Sequence, residues 1–152
     1  MASASVDQIR THADKYREYI KENLAKLPVA SSVRDILAAR TAEDAEPDRE
    51  ITVCLRTRPL LPHELEKDEF TSVAVRNPDT YLFKPEFKWT GPVMSTQKFA
   101  ADFSFGPEDD NAVVYEATAK KVIPLVLGGG VGQLYAYGQT GSGKTYTMTS
   151  LE

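Results

Sequence analysis

Near one end of the chain, Gly138-Gln139-Thr140-Gly141-Ser142-Gly143-Lys144-Thr145 fits the spacing G-x-x-x-x-G-K-[S/T]. Residue types at this spacing suit one task, the holding of a polyphosphate. Glycines let the backbone wrap closely with successive N–H groups turned inward, and a helix that starts at the loop adds the partial positive charge of its N-terminus. Lys144 adds a full charge toward the β and γ phosphates, and the Thr145 hydroxyl supplies one position on a hydrated Mg2+ ion. The expected ligand is a nucleoside triphosphate with magnesium. The context also suits the motif: the apolar run Gln133-Leu134-Tyr135-Ala136-Tyr137 reads as a short buried strand before it, and a helix is expected from near Thr145. The glycines from Gly128 to Gly132 are different. No lysine follows them, and Tyr135 stands where G-x-G-x-x-G needs its last glycine, so they read as a helix stop and a turn.

Upstream segments must place that loop. Ile51-Thr52-Val53-Cys54-Leu55 is short, β-branched and apolar, as expected for a strand buried on both faces, and the prolines after it mark turns around a helical turn. Residues 72–84 read as two short strands about Asn77-Pro78-Asp79. Gly91-Pro92 reads as a break, after which the alternation of Phe99, Ala101, Phe103 and Phe105 predicts a further strand. Asn111 is the expected cap of a helix in which Val114, Tyr115, Thr118, Val122, Leu125 and Val126 recur near the helical period. Strand, helix, strand, glycine loop and helix together give an α/β class with a central sheet flanked by helices.

The first part of the chain has another character. Residues 1–40 read as a helical extension, 41–50 as an acidic linker and 51–152 as the domain that contains the phosphate loop. Ser5 with Gln8 forms a capping box, after which Ile9, Tyr16, Ile20, Leu24 and Leu27 share one helical face until Pro28. A second box, Ser32 with Asp35, opens a shorter helix carrying Val33, Ile36 and Leu37. Such helices either dock a partner or pack on their own domain, and moderate amphipathicity favours the second.

Bulk properties narrow the field. A length of 152 residues suits one core, and a formal charge of -4 offers no global attraction to nucleic acid or anionic membrane. Cys54 is the only cysteine, which excludes an internal disulfide, and His12 and His63 lack metal-ligand spacing. Neither a secretory leader nor a run of about 20 apolar residues is present, so the expectation is a cytoplasmic protein without membrane contact.

The stretch Tyr135 to Met148, "YAYGQTGSGKTYTM", resembles the phosphate loop of the kinesin motor domain almost letter for letter. The resemblance continues upstream through "ITVCLRTRPLLPHEL" and "NAVVYEATAKKVIPLVLGG" and covers residues 51 to 149 in the family's order. Within the family, the stretch from Asn111 to Thr145 looks most like the internal-motor, microtubule-depolymerising (kinesin-13-like) class. The resemblance implies an incomplete P-loop NTPase fold, ATP and Mg2+ as ligands, tubulin in microtubules as partner and the cytoskeleton as location. It also assigns residues. Gly138 through Thr145 hold the phosphates, with Thr145 on the metal. Arg56, Arg58 and Pro59 match R-x-R-P and lie by the adenine, Arg56 and Pro59 foremost, while by residue type alone they are a strand end and turn. Tyr146 falls beside the nucleotide or packs as an aromatic in the first helical turn. Two departures stand out: Gly130 lies near the place of an adenine-stacking aromatic, and "FKWTG" has Lys88 followed by Trp89 and Thr90 where the depolymerising class has Lys-Val-Asp.

Hydrolysis asks for more than a cradle, namely a γ-phosphate sensor and groups that place magnesium and the attacking water. The Asn-x-x-Ser-Ser-Arg and Asp-Leu-Ala-Gly-x-Glu stretches that supply these in kinesins do not occur in residues 1 to 152. The expectation is an ATP-binding N-terminal portion of a motor that hydrolyses no ATP by itself and, with sheet edges and apolar faces uncovered, is unstable in isolation. The alternative is a non-catalytic binding module, or a truncated product, with at most weak nucleotide affinity. An unrelated P-loop ATPase or GTPase is disfavoured because R-T-R-P and A-Y-G-Q occur together at kinesin spacing.

Overall fold

A computed structural model describes residues 4–42 and 51–151, so most of the acidic linker lies outside the described residues. The predicted first helix forms but is divided at His12 into α1 (Val6–Thr11) and α2 (Ala13–Leu24). Both capping boxes close reciprocally: the Ser5 N–H donates to Gln8 Oε1 at 2.9 Å and the Gln8 N–H to Ser5 Oγ at 3.3 Å. In the second, the Asp35 N–H donates to Ser32 Oγ at 3.0 Å and the Ser32 N–H to Asp35 Oδ2 at 3.3 Å, ahead of α3 (Val33–Ala42).

Two small sheets follow. β1 (Cys54–Arg56) and β5 (Phe103–Phe105) form a parallel pair, in register from Cys54 opposite Phe103 to Arg56 opposite Phe105. β2 (Val73–Arg76), β3 (Asp79–Lys88) and β4 (Gly91–Phe99) form an antiparallel sheet with β3 in the middle. β4 was not expected, because Gly91-Pro92 reads as a break. Its proline is accommodated because β4 is an edge strand: the Pro92 carbonyl accepts from the Tyr19 hydroxyl at 3.3 Å, so the ring nitrogen of the same residue also faces outward, where no ladder bond is required. Pro85 in β3 follows the same rule, since its carbonyl accepts from the Ala4 N–H at 3.2 Å instead of from a strand.

Each sheet has its own core. Ile20 of α2 packs with Ala74 and Phe83 of the antiparallel sheet, joined at the margin by Leu24, Phe70 and Met94. Tyr16, fully buried, donates its hydroxyl to the Glu86 carbonyl at 2.8 Å. The N-terminal arm therefore covers its own domain, as its moderate amphipathicity suggests. On the parallel pair, Phe103 and Phe105 pack with Val33 of α3 and with Val114 and Ala117 of α5 (Asn111–Ala117). A buried polar joint ties the two sheets together. Ser104, fully buried in β5, donates its N–H to Asn77 Oδ1 at 3.1 Å and its hydroxyl to the Pro78 carbonyl at 2.6 Å, and the Thr80 hydroxyl lies 2.9 Å from it.

The α/β class holds, with a parallel pair flanked by helices, but several local expectations change. The helix predicted from Asn111 is capped by Asp110, whose Oδ1 accepts from the Val113 N–H at 2.9 Å. It breaks at Thr118 and resumes as α6 (Ala119–Leu127), which stops at Gly128 as expected. On α6, Leu125, Val126 and Leu127 are exposed instead of buried. The expected Ile51–Leu55 strand is replaced by the shorter β1, which starts at Cys54 and runs to Arg56, and Ile51 and Val53 are exposed; among the described residues β5 is its single strand neighbour. Gln133–Tyr137 is not a strand. No strand lies beside it among the described residues, so an extended segment there has no ladder to join, and Tyr135 and Tyr137 stand in solvent.

Candidate phosphate-binding site

The loop from Gly138 leads into α7 (Lys144–Thr149), which starts at the residue the motif requires. Gly143 caps that helix at φ 90°, in the left-handed region that a side chain rarely adopts. At Gly138 the packing is close: a Cβ there would stand 2.6 Å from Ser142 Oγ, so that hydroxyl would have to turn aside. Lys144 folds back over the loop and donates from Nζ to the carbonyls of Gly138 at 2.7 Å and Gln139 at 2.8 Å. The Ser142 N–H closes a turn on the Gln139 carbonyl at 3.2 Å. The ammonium is thus held against two carbonyls of a closely wound glycine loop. Thr140 and Thr145 are exposed.

The R-x-R-P segment meets this loop from β1 and divides into two roles. Arg56 reaches across to α7, where its guanidinium donates to Thr147 Oγ1 at 2.8 Å and lies 5.5 Å above the Tyr146 ring. Tyr146 is 65% exposed, so its outer surface is available to a ligand and it is not a packed core aromatic. Arg58 turns the other way, onto the loop itself, and donates from Nε to the Gly141 carbonyl at 3.0 Å. Pro59 is exposed beside it, its carbonyl accepting from Arg58 Nη1 at 2.8 Å. The structure therefore gathers Arg56 and Arg58 with the 138–147 segment, through contacts that span 91 and 83 positions of the chain.

Two residues of this cluster were not singled out from the sequence. Thr147 anchors Arg56. Glu64, in the short helix α4 (Pro62–Leu65), forms a bidentate pair with Arg58, with Oε2 at 2.7 Å from Nη1 and Oε1 at 2.6 Å from Nη2. The signal for Glu64 was present: it stands three residues after Leu61, the N-cap position of a proline-initiated helical turn, and its Oε2 accepts the Leu61 N–H at 2.8 Å.

Residues 56–152 match the kinesin motor domain family model. The chain belongs to the kinesin motor family. Among solved structures it resembles KIF14 residues 391–755, described as ADP in complex with a microtubule, with 28% identity and a TM-score of 0.53. That likeness covers 64% of this chain and 27% of the solved one, so the chain spans about a quarter of the length of the motor it matches.

The Arg58–Glu64 pair gives this kinesin chain an acid-sensitive joint. Hydrogen bonds from the Arg58 guanidinium and then from the Leu61 N–H hold the Glu64 carboxyl down to about 2, against an ordinary 4.5. A carboxylate lowered in the folded state stabilises the fold fully above its unfolded value and loses that contribution as pH falls through the folded value. In urea titrations, Glu64→Gln should therefore unfold at lower denaturant than the parent above about pH 5. The two midpoints should converge as pH falls from 4.5 toward 2. A constant difference over that window would mean that the pair does not form.

Proposed function

We propose that Gly138 through Thr145 bind the phosphates of ATP or ADP with Mg2+, and that the chain supplies the nucleotide-binding part of a kinesin motor acting on microtubules. The observation that carries this reading is the loop itself: Gly143 in the left-handed region, Gly138 packed closely against Ser142, and the Lys144 ammonium folded back onto the Gly138 and Gln139 carbonyls. Adenine would rest on the outer, exposed face of Tyr146, whose ring carries the Arg56 guanidinium, with Pro59 exposed beside Arg58. The ADP and microtubule in the KIF14 structure support the same assignment.

Magnesium fits this site in a limited way. No group of three or more His, Cys, Asp or Glu side chains that could cage an ion occurs among the described residues. An ion shared between nucleotide, water and the Thr145 hydroxyl needs no such cage. When bound, it would neutralise phosphate charge, while the chain's own residues hold and orient the nucleotide. The location we propose follows from the partner, the microtubule cytoskeleton of the cytoplasm.

The deciding experiment is calorimetric titration of the chain with ADP, with and without magnesium. Saturable binding that strengthens with magnesium is expected, and no heat at millimolar ADP would sink the nucleotide reading. We extend the proposal to the internal-motor class on the Asn111–Thr145 stretch. Its feature at risk is the β3–β4 turn, where Lys88 is followed by a 97% exposed Trp89. Shortening of stabilised microtubules by the protein of which this chain is part would support the class, and transport without shortening would refute it.

A further inference from the structure

Arg58 has five N–H donors in a rigid fork, and the structure employs both of its edges. One edge, with Nη1 and Nη2, is occupied by the Glu64 carboxylate, and Nε donates to Gly141. Glu64 is itself held by the Leu61 N–H, so the carboxylate does not rotate freely. The pair is partly sheltered, with side-chain exposure of 33% for Arg58 and 21% for Glu64. A guanidinium that lacked Glu64 could turn about its long side chain and leave Gly141.

The Gly141 carbonyl matters because it shares a planar peptide with the Ser142 N–H. In a trans peptide the two point in opposite directions. Holding the carbonyl outward on Arg58 therefore turns the Ser142 N–H to the inner side of the loop, where it meets the Gln139 carbonyl. We propose that Glu64 is a positioning residue of the phosphate loop: through Arg58 it sets the orientation of the Gly141–Ser142 peptide and with it one inward-facing donor. The inference rests on the phosphate-binding reading of the loop and adds a residue outside the motif to it. The chemistry is a relay of fixed hydrogen bonds, α4 to Glu64 to Arg58 to the loop, with no contact between Glu64 and the nucleotide.

The test uses the full chain, Mg–ADP as probe, and two readouts. Glu64→Ala should weaken Mg–ADP binding roughly tenfold, the scale seen when an outer partner that orients a ligand-holding group is lost. It should also speed hydrogen exchange at the Ser142 amide severalfold with no ligand present. Glu64→Gln, which keeps the shape, serves if the alanine variant does not fold, with the same two directions expected. The exchanged pair Arg58→Glu with Glu64→Arg separates positioning from plain stabilisation. It restores the ion pair and the urea midpoint but presents a carboxylate to the Gly141 carbonyl, so affinity should stay low. Parental affinity in Glu64→Ala, or affinity recovered together with stability in the exchanged pair, overturns the proposal. If the parent chain binds no Mg–ADP, the nucleotide reading fails, and the Ser142 exchange rate alone then decides whether Glu64 orients the peptide.

Discussion

Lys144→Ala is expected to weaken Mg–ADP binding roughly a hundredfold while leaving adenosine binding unchanged. Charge-assisted hydrogen bonds contribute about 1.5 to 3 kcal/mol each, and about 1.4 kcal/mol is a factor of ten in affinity. Lys144 is the only side-chain cation of the 138–145 motif, so no neighbour within it replaces the charge. Its Nζ already bonds two loop carbonyls at 2.7 and 2.8 Å, so the variant also removes a brace from the loop. Lys144→Arg separates the two losses. It keeps the positive charge but replaces a compact ammonium by a planar fork that does not fit two converging carbonyls, and recovery should be slight. Calorimetry with ADP and with adenosine measures both effects. Equal ADP affinity in parent and Lys144→Ala would show that the loop is no phosphate cradle; equal losses for ADP and adenosine would point to general unfolding.

The second large effect concerns the core under the site. Phe103→Ala should destabilise the chain by about 3 to 5 kcal/mol, the usual range for truncating a buried aromatic. Phe103 is fully buried in one cluster with Phe105, Val33 from α3 and Val114 and Ala117 from α5. The cluster cannot collapse far into the space, because Phe105 and Ser104 beside it are fully buried too. Trp89→Ala removes a larger side chain but one that is 97% exposed, and should stay within about 0.5 kcal/mol of the parent. Urea unfolding followed by far-ultraviolet dichroism measures both. If the two variants are equally stable, the packing of the parallel pair is not what holds this part of the chain.

What was legible in the sequence was mostly local. The two capping boxes, the turn at Asn77-Pro78-Asp79 and the start of α7 depend on residues within a few positions of each other, and all appear as expected. Partnering was not legible. β4 looked broken because Gly91-Pro92 carries no mark of whether that strand lies at an edge, and its edge position is fixed by β2 packing on the far side of β3. Gln133–Tyr137 looked like a buried strand because its composition suits one, yet composition supplies no neighbour to pair with. Of the candidate site, the motif residues are marked by spacing, and Arg56, Arg58, Pro59 and Tyr146 by resemblance. Glu64 and Thr147 were not, because their importance lies in contacts six and 91 positions away.

The buried joint at Ser104 also has a mechanical meaning. α2 grips the β3–β4 hairpin through Tyr16 and Tyr19, and β3 is fastened to β5 by Thr80 and Ser104. β5 lies in register with β1, whose Arg56 reaches α7, and Arg58 just beyond it reaches Gly141 of the loop. A continuous series of hydrogen bonds therefore runs from the N-terminal arm, strand to strand, to the Gly141 carbonyl of the candidate phosphate loop. In that series Ser104 is the coupling where two sheets with separate cores are linked, so that the arm and the loop stand at two ends of one linkage.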